Sequence, residues 1–404
     1  MAKPSSALIF IFLTLLIDVT GLGIIIPVFP KLIEELIHGD ISQASLYSGW
    51  LTFAYAIMQF MFAPILGNLS DRFGRRPVLL ASLIGFGLDY ILQGFAPTIT
   101  WLFIGRILAG VTGASFTTAS AFIADVSTPE NRAQNFGLVG AAFGAGFILG
   151  PAIGAFLGDF GTRVPFFVAA GFSLLNALYG FFVLPESLKP ENRRSFDWKR
   201  ANPVGSLVQL RKYPIIVSLT ASLVCIYIAG HSTQSTWTFY TIEKFNWSER
   251  WIGLSLSCVG LCMGLVQGIL TRVIIPKLGT RNSVFVGMGF YVIGFICFAF
   301  ASQGWMMLAF TVPYSLGGIA GPALQGIISG QVPPNEQGEL QGALTSLMSA
   351  TSIVGPPFMT SLFSHFTKPG AATHFPGAPF LAGALLALLS MFFAARTFRR
   401  LPEE

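Results

Sequence analysis

Residues 7–29 read ALIFIFLTLLIDVTGLGIIIPVF, and this run decides the solvent in which the chain folds. A hydrocarbon core about 30 Å thick asks for about 20 apolar residues in one helix. The run has that length and holds a single charge, Asp18. Reading outward on the same rule finds spans near 45–67, 77–96, 99–122, 134–157 and 164–184. Six more follow near 215–240, 250–271, 281–301, 304–329, 338–364 and 377–395. The expectation is an all-α membrane protein with twelve transmembrane helices.

Composition agrees. The 404 residues are 53% hydrophobic and 10% charged, with mean hydropathy +0.68, where a soluble domain carries about a quarter charged residues. Disorder, collagen and secreted disulfide scaffolds are excluded by the same figures, while 44 glycines and 39 phenylalanines suit lipid. A net charge of +6 does not point to nucleic acid, because the basic residues sit in short loops between apolar runs. Cys225, Cys258, Cys262 and Cys297 lie inside apolar segments, no His or acid accompanies the i, i+4 pair Cys258 and Cys262, and all four read as packing residues, not metal ligands. The first apolar stretch lacks a small-residue cleavage site and is expected to stay on the protein.

With the N-terminus placed in the cytoplasm, eighteen Lys and Arg fall in cytoplasmic segments and five outside. That asymmetry predicts both termini inside. Trp50, Trp101, Trp247, Trp251 and Trp305 then fall near outer helix ends, as an aromatic belt requires. One connection is long, PESLKPENRRSFDWKRANPVGSLVQLRKYP at 185–214. It reads as a cytoplasmic linker with an amphipathic helix on the membrane surface, dividing the chain into six-helix halves at 1–184 and 215–404.

The halves repeat. At an offset of 205, Gly74 falls on Gly279, Pro129 on Pro334, Gly137 on Gly342, and Gly150-Pro151 on Gly355-Pro356. Two pseudo-symmetric halves are the build of secondary transporters with a substrate site near the midplane.

Four segments carry a family resemblance. The loop GNLSDRFGRRPV (Gly67 to Val78) is similar to the major facilitator pattern Gly-x-x-x-Asp-Arg-x-Gly-Arg-Arg. GRILAGVTGA in span four resembles the family's Arg-containing fourth helix through Arg106 and Gly110. GFILGPAIG in span five resembles the Gly-Pro motif of its antiporters, and DVTGLGIIIPVFP in span one the Asp and Pro motif of twelve-span drug:proton antiporters. The run of segments, IADVSTPENRAQNFG and GELQGALTSLMSATSIVGP among them, most resembles the tetracycline efflux group. The resemblance implies the major facilitator fold in a bacterial inner membrane. It also implies drug efflux by antiport, with antibiotic resistance as the consequence, no cofactor beyond the proton gradient, and a monomer that binds a small amphiphilic substrate and protons.

Physical reading gives the residues their roles. Asp71 beside Arg72, Arg75 and Arg76, with Asp125 at the inner end of span four, forms a latch in which Arg75 sits between two carboxylates. Gly67 and Gly74 are expected to permit close approach and a tight turn. The second-half copy has Pro276 in place of Asp71, so the latch is one-sided. Intramembrane charges mark function, and three stand out: Asp18, Asp89 and Arg106. Asp18 lies about 11 residues into span one, roughly 17 Å down and near the midplane, and is expected to face Arg106 as the proton and substrate site. Gly146, Gly150, Pro151 and Gly154 leave one face of span five nearly free of side chains, which suits close packing and a bend that seals a leak. Candidate cavity residues are Gln59, Phe116, Ser120, His231, Gln234, Trp237, Tyr314 and Gln325.

The second half departs from the tetracycline efflux pattern. The acid that the resemblance implies in span nine is replaced by Tyr291, and the span-eight histidine by Met263. Proton coupling must therefore run on Asp18 and Asp89. The reading is a secondary transporter that exports an amphiphilic compound. Its alternative is a permease or exporter of a metabolite or siderophore, against which the Gly-Pro face weighs. An enzyme would need a catalytic or metal-binding cluster, and a receptor finds no feature in its favour.

Overall fold

In the computed structural model, residues 4–113, 115–127, 132–196, 198, 214–331 and 337–399 are described. Their regular structure is helical. Span one is α1 (Pro4–Ile25); it ends before Pro27, and residues 29–37, partly counted with it in the sequence, form a separate short helix α2 (Phe29–Ile37). Span two is α3 (Ile41–Phe73), span three α4 (Arg75–Gly94). Span four is broken into α5 (Ile99–Thr112) and α6 (Ser115–Val126), the break beginning at Gly113, where helix propensity is weak. Spans five to seven are α7 (Arg132–Gly158), α8 (Val164–Val183) and α9 (Pro214–Phe245). Span eight runs as α10 (Glu249–Leu265), a π turn and α11 (Thr271–Leu278), and span nine is α12 (Thr280–Phe300). Span ten is α13 (Gly304–Leu316) and α14 (Ala320–Gly330), joined by a 3-10 turn at Gly317–Ile319. Spans eleven and twelve are α15 (Gln337–Thr367) and α16 (Ala378–Phe398).

Ten of these segments are long and apolar enough to cross a membrane. The other two, α9 and α15, have 32 and 31 residues, ample length, but are diluted by serine, threonine and glutamine. They complete the twelve among the described residues.

Two compact units result. One comprises Met1–His38, Ala54–Asn202 and Ser248–Ser257; the other comprises Gly39–Phe53, Pro203–Trp247 and Cys258–Glu404. Each unit therefore incorporates the first turns of one helix from the other sequence half. The first unit packs Phe10, Ile11 and Leu15 of α1 against Leu79, Ala119, Phe122 and Ala142. The second packs Leu219 and Leu223 of α9 against Val284, Met288, Ala323, Ala343 and Ala387.

The repeat is visible in the backbone. Gly74 (φ +109°) and Gly279 (φ +77°) each take the left-handed region and start the following helix, α4 or α12. A β-carbon is strained there, which is why glycine stands at both. Gly150 and Gly355 then occupy equivalent places in α7 and α15. Pro129, Pro334 and residues 199–213, where the surface helix of the linker is expected, lie outside the described residues.

Candidate functional site: a buried carboxylate, an ion pair and a latch in the first unit

The turn at Gly74 aims the first residue of α4 back at the last turn of α3. Arg75 is buried there. Its Nη1 donates to Asp71 Oδ1 at 2.5 Å and to Ser70 Oγ at 2.7 Å, and its Nε donates to Asp125 Oδ2 at 3.0 Å. One guanidinium thus ties two carboxylates from spans two and four by charge-assisted hydrogen bonds. The other two arginines do not join this triad. Arg72 is exposed over the Phe73 ring at 5.0 Å, and Arg76 Nη2 donates to the Phe181 carbonyl at 2.5 Å. Gly67 makes no close approach either. A β-carbon there would have Thr117 Cγ2 as its nearest neighbour at 4.0 Å, so α3 passes span four at ordinary distance.

Glu186, which the sequence reading passed over, completes the arrangement. Its carboxylate accepts from the backbone N–H of Arg75 at 2.8 Å, of Arg76 at 3.2 Å and of Leu188 at 3.0 Å. It caps the N-terminus of α4, where the helix dipole favours an anion. Ser187 Oγ donates to Asp125 Oδ2 at 3.0 Å, and Arg194 N to the Asp71 carbonyl at 3.1 Å. The first residues of the linker are therefore a strap stitched to the triad. Glu186→Ala removes the cap and is expected to cost about 1 kcal/mol, which raises opening of the strap about fivefold. Limited trypsin cleavage at Arg193 and Arg194 reads this directly. An unchanged cleavage rate would show that the cap does not hold the strap.

The intramembrane charges sort into two sites. Asp18 is 6% exposed, and Ser115 Oγ, at the first residue of α6, donates to its Oδ2 at 2.5 Å. It forms no ion pair among the described residues. Asp89, 2% exposed, accepts from Gln93 Nε2 at 2.6 Å and faces Arg106 Nη2 at 3.7 Å. Arg106 Nη2 donates in turn to Gln93 Oε1 at 2.8 Å. The expected pairing of Arg106 with Asp18 is thus corrected: the cation belongs to Asp89. Spans three and four lie against one another, and Gly105 leaves the space that Asp89 Oδ1 occupies, 2.6 Å from where a β-carbon would stand. The break at Gly113 presents Ser115, not Arg106, to Asp18. Gln93 was legible as the i+4 neighbour of Asp89 on one helix face; Ser115 was hidden by the break.

Span five packs its glycine face on span one. A β-carbon at Gly150 would lie 2.7 Å from Gly23 Cα and from the Thr20 carbonyl, and one at Gly146 would lie 2.8 Å from Val19 Cβ. A β-carbon at Gly154 would strike the Ile24 carbonyl, and Pro151 packs its ring on Gly23. Ser257 Oγ donates to the Ile148 carbonyl at 2.7 Å on the same helix. In the second unit Gly355 takes the equivalent position in α15 and meets the His231 ring of α9.

Within each unit the cavity candidates differ in burial and contacts. His231 is buried, Gln234 is exposed, and Trp237 is 1% exposed, edge-on to Phe298 at 5.2 Å. Each step of three residues turns a helix about 300°, so the first and third of these residues point about 120° apart. Tyr314 is core, with Tyr291, Phe295 and Phe298 each at 5.4 Å. Gln59 Nε2 donates to Tyr55 OH at 2.9 Å and Gln325 Nε2 to Tyr227 OH at 2.9 Å, while Ser120 is half-buried. The Phe116 side chain lies outside the described residues. Met263 lies beside Gly318, its sulfur 2.7 Å from where a β-carbon would stand.

The Major Facilitator Superfamily model matches residues 11–317 and 233–404. The chain belongs to the major facilitator superfamily. Within it, the chain is 40% identical over 389 residues to the tetracycline resistance protein, class C, of Escherichia coli, covering 96% of each. It is 38% identical over 397 residues to the class G protein of Vibrio anguillarum, covering 98% of each. A bacterial homologue of the human lysosomal transporter Spinster has the same fold, with TM-score 0.76 and 16% identity, over 99% of this chain and 98% of that one. As a member of the major facilitator superfamily related to the tetracycline resistance proteins, the chain is a secondary active transporter, not an enzyme.

Proposed function

We propose that this major facilitator protein exports an amphiphilic, cation-bearing drug in exchange for protons, with Asp18 as the carboxylate that both compete for. The observation that carries the reading is the charge arrangement of the first unit. Arg106 compensates Asp89, whereas Asp18 has a serine hydroxyl and no cation among the described residues. A lone ionised carboxylate away from water is costly, so the group holds either a proton or the cationic end of a substrate. Exchange follows from that exclusivity. The tetracycline resistance proteins among the relatives support a drug of that amphiphilic kind. In the second unit Tyr291 sits in an aromatic cluster with Phe295 and Tyr314, which suits flat apolar rings and brings no further carboxylate.

The same proposal places both termini in the bacterial cytoplasm and treats 1–184 and 215–404 as the two halves of a monomeric, alternating-access transporter. The triad of Arg75, Asp71 and Asp125, with Glu186, holds the span ends together in one state and opens in the other.

Inverted membrane vesicles with an imposed gradient, acid inside, test the coupling. Tetracycline and a set of cationic amphiphiles are offered outside. Accumulation of at least one, collapsing when a protonophore removes the gradient, is expected. Accumulation that survives the protonophore contradicts proton exchange.

A further inference from the structure

Among the fully buried polar atoms of the first unit that have no hydrogen-bond partner are Tyr90 OH, Asp89 Oδ1 and Arg106 Nε. An unpaired buried donor or acceptor costs about 1–3 kcal/mol, and such atoms call for a water or a function. These three belong to one neighbourhood. Arg106 and Asp89 form the ion pair, and Tyr90 is the next residue along α4. The Tyr90 hydroxyl reaches span one: it lies 3.5 Å from where a β-carbon on Gly21 would stand. Gly21 is one helical turn from Asp18, and residues at i and i+3 hold their β-carbons about 5–6 Å apart.

We propose that the Tyr90 hydroxyl, with water, relays protons between Asp18 and Asp89, an inference that rests on the reading of Asp18 as the proton-loading group. The groups facing it come from four spans: Asp18 on span one, Tyr55 on span two, Asp89 on its own helix and Arg106 on span four. The transfer is a hop in which the phenol ends unchanged. The Asp18 carboxyl gives its proton to the phenol oxygen through one water, while the phenol O–H proton passes through another to the Asp89 carboxylate. Asp18 is left ionised and free to take a cationic substrate. Asp89 is left neutral, which dissolves its ion pair with Arg106 and leaves that guanidinium to Gln93. Glycine at 21 keeps the passage open. Tyr90 is thus a proton-relay residue for coupling, not part of the substrate site.

The full-length protein, reconstituted in liposomes, separates the possibilities. Substrate counterflow without a gradient needs no proton movement, whereas gradient-driven transport does. Tyr90→Phe keeps the ring and removes the hydroxyl. Counterflow is expected to stay near wild type, gradient-driven transport to fall about tenfold or more, and its pH profile to flatten. Gly21→Ser gives the phenol a competing partner in a space that accepts a β-carbon, and is expected to slow gradient-driven transport where Gly21→Ala does not. It also serves if Tyr90→Phe folds poorly. Wild-type gradient-driven rates in Tyr90→Phe at every pH overturn the relay, as does an equal loss of counterflow and driven transport, or identical behaviour of the two Gly21 variants. Asp18→Asn run beside them isolates the underlying reading: intact proton coupling in that variant overturns the role of Asp18, and with it the relay. Loss of coupling in Asp18→Asn with an unaffected Tyr90→Phe overturns the relay alone.

Discussion

Asp18→Asn is expected to abolish accumulation driven by a pH gradient, to below about one hundredth of wild type, while the protein still reaches the membrane in normal amount. The amide has the shape of the carboxyl, and its oxygen still accepts from Ser115 Oγ, the one partner seen at 2.5 Å. What it loses is titration. Replacing a buried acid that has no ion pair removes the cost of burying a charge and adds only the smaller one of burying an amide NH2, so the fold is expected to persist. Vesicle accumulation, normalised to protein detected in the same membranes, measures the effect. Wild-type accumulation would remove Asp18 from the coupling path and leave Asp89, whose charge is already matched by Arg106.

Gly150→Leu carries the second large effect, and it acts through packing. The positions a β-carbon would collide with are backbone atoms, Gly23 Cα and the Thr20 carbonyl at 2.7 Å, so no flexible side chain yields. Span one must move away from span five, and span one carries Asp18. Overpacking of this kind costs about 1–3 kcal/mol, read as a lowered unfolding temperature in detergent, with transport lost alongside. Gly144→Leu is the control on the same helix, because nothing lies within 4 Å of a β-carbon there. Stability and flux at wild-type levels in Gly150→Leu would show that the glycine face tolerates separation and plays no part in exchange.

Most of the fold was legible because length and apolarity are one-dimensional properties. Twelve runs matched to bilayer thickness gave twelve spans, and α9 and α15, which fall short on hydropathy, were still found by length. The glycine repeat was legible for a related reason: Gly74 and Gly279 are fixed by backbone angles, which sequence position reports directly. Side-chain partnerships were less so. Depth alone suggested Asp18 facing Arg106, but depth does not give rotation, and the break at Gly113 turns Ser115 toward Asp18 instead. Glu186 was overlooked because its partners are the backbone amides of Arg75 and Arg76, about 110 residues away in sequence, and backbone amides leave no mark in composition. Trp237 and Tyr314 were read as cavity candidates. Their rings, packed with Phe298, place them in the core.

The central claim is that proton and substrate exclude one another at Asp18. It is tested most directly by adding a transported drug to the purified protein in weakly buffered detergent solution containing a pH-sensitive dye. The account predicts release of protons that saturates with drug concentration in the wild type and is absent in Asp18→Asn. Equal proton release by the two proteins, or drug binding by the wild type with no proton release at any pH, would contradict it.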